Sequence, residues 1–439
     1  VPPAKLSGDA ATAFEMAREE SVEYAFFPKG EIVTENCDLI IDALLGTGAS
    51  GAPRGAIGEM VRRALDSGLP AIAVDNPTGV NSDSGEVSGD AIYAMATATF
   101  GLPKLGQFRH PGREYVGRLM VVDIGIPEDV YAKMTPAMIT DDTANLASIL
   151  PYRPGDAHKG VFGKVSVIAG SAGMSGAAVL AAESCLRSGA GLVELVIPEG
   201  LLHTVESLLR EAVTRPVQEV KRKSCFSVRA LGDILERIKA SDAVALGPGI
   251  GTHRETVDLV GRLLPKISAP TVIDADGLNC LARLRVRDKS PKFSAPVVLT
   301  PHPGELGRLL DIPAAEIDAG RFDHAEDWRR ELGAAVLVLK GSPTVIAAEG
   351  APLCINRTGN HAMATGGSGD VLTGLIAGFL GQGLEPVNAA RLGVYLHGLA
   401  GDLAAAEIGP RGTIAGDILE RVPEAILDLE EYFDFEDLL

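Results

Sequence analysis

The sequence predicts an α/β protein with two doubly wound domains, and three observations lead to that prediction. Short apolar runs rich in Val, Ile and Ala recur throughout the 439 residues. These runs lack polar alternation, which is typical of parallel strands whose two faces are both covered. Helical patterns lie between them, and repeated strand–loop–helix units favour a parallel sheet with helices on both faces.

Ten apolar runs are expected to form strands of these sheets. They are Asp38–Leu45, Ala71–Val74, Thr97–Leu102, Leu119–Ile124, Lys164–Ala169, Leu192–Ile197, Ala243–Leu246, Thr271–Ile273, Val297–Leu299 and Ala335–Leu339. Three helices are expected between strands, at Gly58–Leu65, Ala177–Ser188 and Arg254–Leu264. The last third is expected to be mainly helical, with Gly369–Leu380, Val387–Leu403 and Ala415–Tyr432.

A domain boundary is expected between Met134 and Gly160. This segment holds several prolines and a polar Asp-Asp-Thr stretch, which are typical of a connection between domains. We therefore divide the chain into residues 1–148 and residues 149–439.

Composition and charge exclude several classes of protein. The chain has 58 acidic and 40 basic residues, for a net charge of −18, which argues against nonspecific binding to nucleic acid or to anionic membranes. No apolar run approaches the ~18 residues of a membrane span. Five scattered cysteines without a CxxC pair exclude a disulfide framework and a zinc ribbon. We expect a cytoplasmic protein that acts on small molecules.

The most informative segment is a glycine-rich loop that runs from Asn360 directly into an apolar helix. Its glycines allow a ligand close to the backbone, and successive N–H groups at a helix N-terminus favour a phosphate. Asp370 lies in the first helical turn. It is either a carboxylate that complements the helix dipole or a base that faces a transferred phosphoryl group.

Four more loops follow expected strands, where ligands bind in open parallel sheets. Lys340–Thr344 offers a cation and hydroxyls to phosphate or ribose, and Thr300–Glu305 offers His302 and Glu305. Gly247–Gly251 indicates only a close approach of the backbone. Asp274 and Asp276 either touch Mg²⁺ through water or cap the next helix.

The first half contains Gly46–Gly51, which fits the dinucleotide pattern G-x-G-x-x-G. A nicotinamide-dependent dehydrogenase is therefore one hypothesis for the function. Asp75 lies farther along the chain than the acidic residue of that pattern usually does, so the fit is loose.

The order of these motifs resembles a known family. The run HKG, GKVSVIAGS, GPGIG, DADGLN, TPHPGE, KGSPT and NHAMATGGSGD, across Pro151–Val422, is similar to the NAD(P)H-hydrate dehydratases of the ribokinase-like superfamily. In the first half, Asp42, Gly46–Ala52, the DNPTG segment, Lys104 and VDIGIP resemble the Rossmann-like NAD(P)H-hydrate epimerase domain. That family has D-I-P-S-G where this chain has D-N-P-T-G, and Thr78 keeps the hydroxyl.

The epimerase family also has an upstream loop of N-N-G-G-D-G type, which this sequence lacks. We expect the matching region to lie before Val1, together with about the first third of that domain. The chain as written is then not expected to be a competent epimerase.

The resemblance implies an ADP-dependent dehydration of (S)-NADHX and (S)-NADPHX, the hydrates formed when water adds to the nicotinamide ring. ADP would phosphorylate the ring hydroxyl, and phosphate would then leave with AMP as the other product. In the full-length protein this would be coupled to epimerisation of the (R) and (S) hydrates. A ribokinase-like kinase for a vitamin precursor and a nucleotide sensor without activity are two further hypotheses that the motifs leave open.

The resemblance also implies site residues. The catalytic residues would be Asp370 and Asp75. The hydrate would contact Gly249, His302, Pro303, Gly304, Glu305, Leu306, Gly307, Arg308 and Asp370 in the second half, and Gly46, Thr47, Gly48, Gly51, Ala52 and Asp75 in the first. ADP would contact Lys340, Gly341, Ser342, Pro343, Thr344, Asn360, His361, Ala364, Thr365, Gly366, Gly367, Ser368 and Gly369.

Metal ions and self-association are implied as well. Asp42 and Thr78 would bind K⁺, and Mg²⁺ would accompany the nucleotide without ligands that the sequence identifies. The family implies a homo-oligomer, a tetramer or an octamer.

Overall fold

A computed structural model describes residues 6–24, 37–287 and 292–436. The chain divides into two compact units between Thr135 and Pro136, earlier than the expected division after residue 148. The difference arises because β5 (Met138–Ile139) and α5 (Thr143–Ile149) belong to the larger unit. There β5 pairs with a later strand, and Leu146 of α5 is fully buried in the main core.

The smaller unit holds a four-stranded parallel sheet in the order β1-β2-β3-β4. Its strands are β1 (Ile40–Asp42), β2 (Ala71–Val74), β3 (Ala96–Phe100) and β4 (Arg118–Val122). Its helices are α1 (Asp9–Glu19), α2 (Gly55–Ser67), α3 (Arg113–Val116) and α4 (Glu128–Tyr131). Val61 of α2 packs with Ala71 and Ile92 in a small core. All four strands run parallel, so their carboxyl ends share one edge.

The larger unit holds a ten-stranded sheet. Besides β5, its strands are β6 (Lys164–Ile168), β7 (Leu192–Pro198), β8 (Val213–Val217), β9 (Ala243–Leu246), β10 (Thr271–Ile273), β11 (Val297–Leu299), β12 (Val336–Leu339), β13 (Val345–Ala348) and β14 (Leu353–Ile355). Their order is β5-β14-β13-β12-β11-β10-β9-β6-β7-β8. The seven strands from β12 to β8 are parallel, whereas β13 is antiparallel to both of its neighbours.

Helices cover both faces of this sheet, as expected for a doubly wound fold. Besides α5, they are α6 (Ser175–Arg187), α7 (Leu202–Leu208), α8 (Leu231–Ile238), α9 (Arg254–Leu263), α10 (Asp276–Val286), α11 (Pro303–Leu310), α12 (Ala314–Ala319), α13 (Arg321–Glu331), α14 (Ser368–Gly381), α15 (Pro386–Ile408) and α16 (Ala415–Glu436). Nearly every residue of α14 is buried. None of the helices that the structure describes is long and apolar enough to cross a membrane.

The α/β prediction is confirmed, and all ten expected strands are present. Four further strands were not expected: β5, β8, β13 and β14. The sheet is therefore mixed at one end and not wholly parallel. The connection from β12 to β13 is only the short loop Lys340–Thr344, which is too short for the crossover that a parallel strand needs.

The central helix α14 lies unusually close to α6 because a glycine stands at their contact. A Cβ at Gly374 would lie 2.6 Å from Ser184 Cβ and would clash with the Ala181 carbonyl oxygen. Ser184 Oγ also donates to the Val371 carbonyl at 2.6 Å, which joins the two helices by a buried hydrogen bond. This close packing holds the N-terminal end of α14 in place.

We expect Gly374→Ala to lower the free energy of unfolding by roughly 1–3 kcal/mol, because the added methyl group overpacks this contact. Gly416→Ala in α16 is the matched control, since a Cβ there meets nothing within 4 Å. The control should be neutral or up to ~1 kcal/mol more stable, as a glycine-to-alanine change in a helix usually is. Urea unfolding followed by the fluorescence of Trp328, the single tryptophan, measures both. Equal effects of the two changes would contradict the packing argument.

Candidate functional site

The carboxyl ends of β10 and β12 are joined by an ion pair. Lys340 follows β12, and its Nζ lies 2.6 Å from Asp274 Oδ1, which follows β10. The same Nζ lies 3.8 Å from Glu305 Oε2 in the first turn of α11. The Asp274 side chain is only 1% exposed. Burial opposes the charge of Lys340, but Asp274 and Glu305 outweigh that effect and raise the lysine pKa.

Asp274 is also held from α14. Thr373 Oγ1 donates to Asp274 Oδ2 at 2.7 Å, so both carboxylate oxygens have partners. Asp276, two residues on, turns elsewhere: its Oδ2 accepts from the Gly251 amide at 2.9 Å and its Oδ1 from Asn279 at 3.1 Å. Ala275 lies between them with a positive φ of 49°, a strained conformation for a residue with a Cβ.

Asp370 lies in the first turn of α14, beside this ion pair. An ideal Cβ on the preceding Gly369 would be 3.3 Å from Lys340 Nζ and 3.6 Å from Asp274 Oδ2. Burial raises the pKa of Asp370 to about 7, and the charge of Asp274 adds to that rise. Lys340 opposes the rise, while Asp276 and Glu305 contribute to it. A carboxyl group with this pKa can accept or release a proton near neutrality.

The loop before α14 presents free amides. Gly367 adopts a positive φ of 93° at the helix N-terminus, where no side chain caps the helix. Among the described residues, no acceptor receives the N–H groups of Gly366, Gly367 and Gly369. Ser368 Oγ lies 3.2 Å from His397 Nε2 of α15, and burial lowers the pKa of this histidine to about 4. The free amides make the loop an anion nest, and the neutral His397 holds it through its contact with Ser368.

Asn360, at the start of the same loop, uses its side chain for the fold. Its Nδ2 donates to Asp402 Oδ1 at 2.7 Å and its Oδ1 accepts from the Ala362 amide at 2.8 Å. Asp402 Oδ2 also accepts from the Gly359 amide at 2.9 Å. The amide group of Asn360 thus positions the loop. His361, Ala364 and Gly366 are exposed to solvent.

The loop Lys340–Thr344 is supported by a buried arginine. Arg321 Nη1 donates to the Pro343 carbonyl at 2.5 Å, and Gly341, at a φ of 142°, lies against the same guanidinium. A Cβ on Gly341 would come within 2.7 Å of Arg321 Nη2. Arg321 is on α13, far from the loop in sequence.

The segment His302–Arg308 begins α11. His302 Nδ1 accepts from the Gly304 amide at 3.0 Å, and Glu305 Oε2 accepts from the His302 amide at 2.9 Å, so the two form a reciprocal cap. Burial lowers the pKa of His302 although Glu305 opposes this effect. Arg308 is exposed and its Nε donates to Asn279 Oδ1 at 2.9 Å. Leu306 and Gly307 face the core and are buried.

In the smaller unit, Asp42 and Thr78 meet where β1 ends. Asp42 is 2% exposed. Its Oδ1 accepts from Thr78 Oγ1 and its Oδ2 from the Thr78 amide, both at 2.7 Å. The Leu45 amide donates to Thr78 Oγ1 at 3.1 Å. Expected K⁺ ligands are therefore adjacent, and each is already hydrogen-bonded.

Asp75, which follows β2, has a lysine partner. Lys104 Nζ lies 2.5 Å from Asp75 Oδ1 and 2.8 Å from Thr99 Oγ1, and Gln107 Nε2 donates to the Asp75 carbonyl at 2.8 Å. Asp75 has a positive φ of 68°. An ideal Cβ on Gly46 would lie 3.5 Å from Asp75 Oδ2, so Gly46 borders this carboxylate. Of the other expected contacts in this loop, Thr47, Gly48 and Gly51 are exposed and Ala52 is partly buried.

The dinucleotide pattern Gly46–Gly51 does not open a helix. The next helix, α2, begins at Gly55 and not at the glycine loop. A dinucleotide fingerprint needs its glycines at the helix N-terminus, where they receive the pyrophosphate. This geometry removes the support for a nicotinamide-dependent dehydrogenase.

No group of three or more His, Cys, Asp or Glu side chains suited to a metal occurs in residues 6–24, 37–287 and 292–436. Mg²⁺ commonly needs only one or two carboxylates, with water and nucleotide phosphates as its other ligands. The carboxylates around Lys340 fit an ion that arrives on the nucleotide, and they do not form a cage of their own.

Three contributors to the site were not identified from the sequence. Thr373 and His397 lie within apolar helices and look like core residues, and Arg321 lies in an ordinary charged helix. No pattern of spacing marks them, because their partners are distant in the chain. Lys104 was part of the motif set, but its pairing with Asp75 was not expected.

Comparisons with known proteins match both units. The profile described as NAD(P)H-hydrate dehydratase matches residues 165–424, and the one described as YjeF-related protein N-terminus matches residues 1–106. A bifunctional NAD(P)H-hydrate repair enzyme from Moorella thermoacetica is 42% identical over 98% of this chain and 81% of its own length. A protein of the same name from Thermofilum pendens is 40% identical over 92% of this chain and 75% of its own length.

A solved structure agrees with these matches. The ADP/ATP-dependent NAD(P)H-hydrate dehydratase from Bacillus subtilis, co-crystallized with ATP/Mg²⁺, is 31% identical with a TM-score of 0.58. The match covers 68% of this chain and 100% of that one.

The raised pKa of Asp370 predicts a stability effect. The protonated carboxyl stabilises the folded state relative to the ionised one, and this contribution is lost as the pH rises from about 4 through about 7. We expect Asp370→Asn to unfold with a free energy roughly 2–4 kcal/mol higher at about pH 8, with the difference shrinking towards about pH 4.

Asp417→Asn is the matched control for that measurement. Asp417 lies in the first turn of α16, and its Oδ2 accepts from the Ile414 amide at 2.8 Å, so it is a simple helix-end carboxylate. Its replacement should lower stability slightly. If Asp370→Asn also lowers stability at about pH 8, Asp370 only complements the helix dipole.

Proposed function

Because the chain belongs to the NAD(P)H-hydrate dehydratase family and carries a YjeF-related N-terminal domain, we propose that its larger unit dehydrates NADHX and NADPHX at the expense of ADP. The matches confirm the family resemblance, the ribokinase-like fold and the enzyme class that the motifs indicated. They do not favour a kinase for a vitamin precursor or a sensor without activity.

The observation that carries the proposal is the position of Asp370. A carboxyl group whose pKa is about 7 lies in the first turn of α14, beside the free amides of the loop and a partly buried lysine. A mere helix cap needs neither the free amides nor the lysine. Phosphoryl transfer needs all three, namely a base for the attacking hydroxyl, donors for the equatorial oxygens and a cation.

In the proposed reaction, Asp370 takes the proton of the ring hydroxyl as that oxygen forms its bond to the β-phosphorus of ADP. The bond from phosphorus to the bridging oxygen breaks and AMP leaves. The amides of Gly366, Gly367 and Gly369 hold the charge of the transferred group, and Lys340, beside Gly369, contributes its positive charge. Mg²⁺ that arrives with the nucleotide would supply charge neutralisation beside the carboxylates around Lys340.

Elimination completes the reaction. The nitrogen of the reduced ring donates its electron pair and phosphate departs, which leaves a C=N⁺ iminium. Loss of a proton from the neighbouring ring carbon to solvent then restores the carbon–carbon double bond of the dihydronicotinamide. Phosphate is a far better leaving group than hydroxide, which explains why a dehydration uses a nucleotide. The role of ADP as donor, as opposed to ATP, is part of the proposal.

For the full-length protein, we propose that the smaller unit contributes Asp75 as the acid–base residue of an epimerisation of the hydrates. Lys104, at 2.5 Å, would hold the carboxylate in a fixed orientation. Asp42 and Thr78 supply hard oxygen donors that suit K⁺, and their oxygens retain lone pairs beyond the hydrogen bonds that they accept. The expected oligomer, tetramer or octamer, and the expected cytoplasmic location stay predictions.

An assay of NADHX with ADP, with ATP and without nucleotide tests the proposed dehydratase. We expect the absorbance of NADH to return with ADP and not without nucleotide. Asp370→Asn should lower kcat by about 10²–10⁴-fold, the usual contribution of a positioned base. Asp417→Asn should retain full activity. Near-normal turnover by Asp370→Asn would contradict the assignment of the base.

The dependence of kcat/KM on pH should show the ionisation of Asp370. Activity should fall on the acid side with a midpoint of about 7, because only the carboxylate can take the proton. Asp274→Asn removes the neighbouring charge that raises this pKa most, so the midpoint should move to lower pH while kcat falls. Asp276→Asn, which removes a weaker contribution, should shift it less. An unmoved midpoint in Asp274→Asn would contradict the assignment.

A further inference from the structure

A strongly basic tip lies on one hairpin of the larger unit. Lys221, Arg222 and Lys223 are consecutive and exposed, in a chain whose net charge is −18. Within the described part of the chain, no ion pair engages any of the three. Two carboxylates near Cys225 of this hairpin have other partners: Glu219 accepts from the Gly200 amide at 2.8 Å, and Glu255 accepts from Ser227 at 2.6 Å.

The hairpin is built to hold this tip in place. The Val220 amide donates to the Cys225 carbonyl and the Lys223 amide to the Val220 carbonyl, both at 2.9 Å. Arg222 and Ser224 adopt positive φ values of 61° and 41°. Backbone strain of this kind persists only where the surroundings enforce it. The three cations are therefore displayed by a defined turn.

The tip also lies on the edge of the sheet that carries the site. The Ala172 amide, in the loop after β6, donates to the Ser224 carbonyl at 2.9 Å. Ser171 Oγ in the same loop donates to the Gly249 carbonyl at 2.7 Å. Gly249 is an expected contact of the hydrate. Two hydrogen bonds and one short loop thus connect that contact to the basic tip.

The order of the strands shows on which side of the expected ADP site the basic tip lies. The expected ADP loop, Lys340–Thr344, follows β12, and the pair Asp274–Lys340 spans β10 to β12. Beyond β10 come β9 and then β6, each roughly 5 Å farther along the edge. With ADP over β12, the strands β9 and β6 lie on the side of β10 away from the nucleotide, so the rest of a dinucleotide can extend along this edge towards them. Met174, which is 40% exposed, adds an apolar surface there.

We propose that Lys221, Arg222 and Lys223 form a subsite for the phosphates of the dinucleotide substrate, remote from the reacting ring. The inference rests on the proposed dehydratase activity and identifies how that site selects a dinucleotide. Exposed lysines attract phosphate through charge, so their contribution is screened by salt. It strengthens binding of the substrate without touching the phosphoryl transfer.

The test compares two double variants of the full chain. Lys221→Gln/Lys223→Gln removes two charges from the tip and leaves Arg222, whose positive φ would add strain to any replacement. Lys239→Gln/Lys266→Gln is the matched control: both lysines are exposed, and they lie before β9 and β10, on the opposite edge of the sheet. The KM for NADHX, NADPHX and ADP is measured with kcat at low and high salt.

For the tip variant, we expect the KM of both hydrates to rise roughly three- to tenfold at low salt and the difference to shrink at high salt. The KM of ADP and kcat should stay as in the unmodified chain, and the control should change none of them. A larger rise in KM for NADPHX than for NADHX indicates that the tip contacts the extra phosphate of NADPHX. An equal rise in the two KM values indicates that the tip contacts the diphosphate that both hydrates share. An unchanged KM for both hydrates, or an equal rise for ADP, overturns the subsite.

Direct binding separates this inference from the proposed activity. The dissociation constant for NADPH, followed by its fluorescence, is measured for the same three proteins. A weaker constant for the tip variant alone supports the subsite even where the unmodified chain fails to dehydrate NADHX, which would refute only the activity. Equal constants in all three proteins overturn the subsite.

Discussion

The ion pair between Lys340 and Asp274 is the contact on which the larger unit's site depends. It joins the ends of two strands that are not neighbours, since β11 lies between them. Thr373 extends the link to α14, so the sheet edge and the helix that carries Asp370 share one carboxylate. Loss of Lys340 would leave the buried Asp274 carboxylate with only the Thr373 hydroxyl as a partner, and removal of one member of a buried ion pair typically costs several kcal/mol. The buried Asp274 thus fixes the position of Lys340 relative to α14.

Phosphate recognition in this acidic chain relies on the backbone. Glycine amides before α14 and the helix end attract an anion without any net charge, and Lys340 is largely neutralised by its own carboxylate partners. The negative charge around Asp370 has another effect: burial raises the pKa of this residue most, and the charge of Asp274 adds to the rise, to about 7. The same carboxylates that would repel a nucleotide thus tune the group that acts on it.

Much of this site could be predicted because ligand-binding and catalytic residues lie at the carboxyl ends of parallel strands. Asp274, His302, Lys340 and Asp370 each follow a strand or open a helix, and local sequence marks such positions. What could not be predicted depends on contacts between distant segments. Arg321 of α13 supports the loop Lys340–Thr344. The antiparallel direction of β13 follows from the shortness of that same loop, which in sequence resembles an ordinary ligand-binding loop.

Residues two apart in an extended segment normally point the same way, so Asp274 and Asp276 would be expected to act together. Ala275, with its positive φ, turns them apart, and one carboxylate serves the lysine while the other fastens the glycine loop after β9. The backbone conformation of Ala275 thus gives the two acids different partners. A single-residue insertion or deletion there would change the direction of at least one carboxylate, so this site needs the spacing of the tripeptide as well as its two acids.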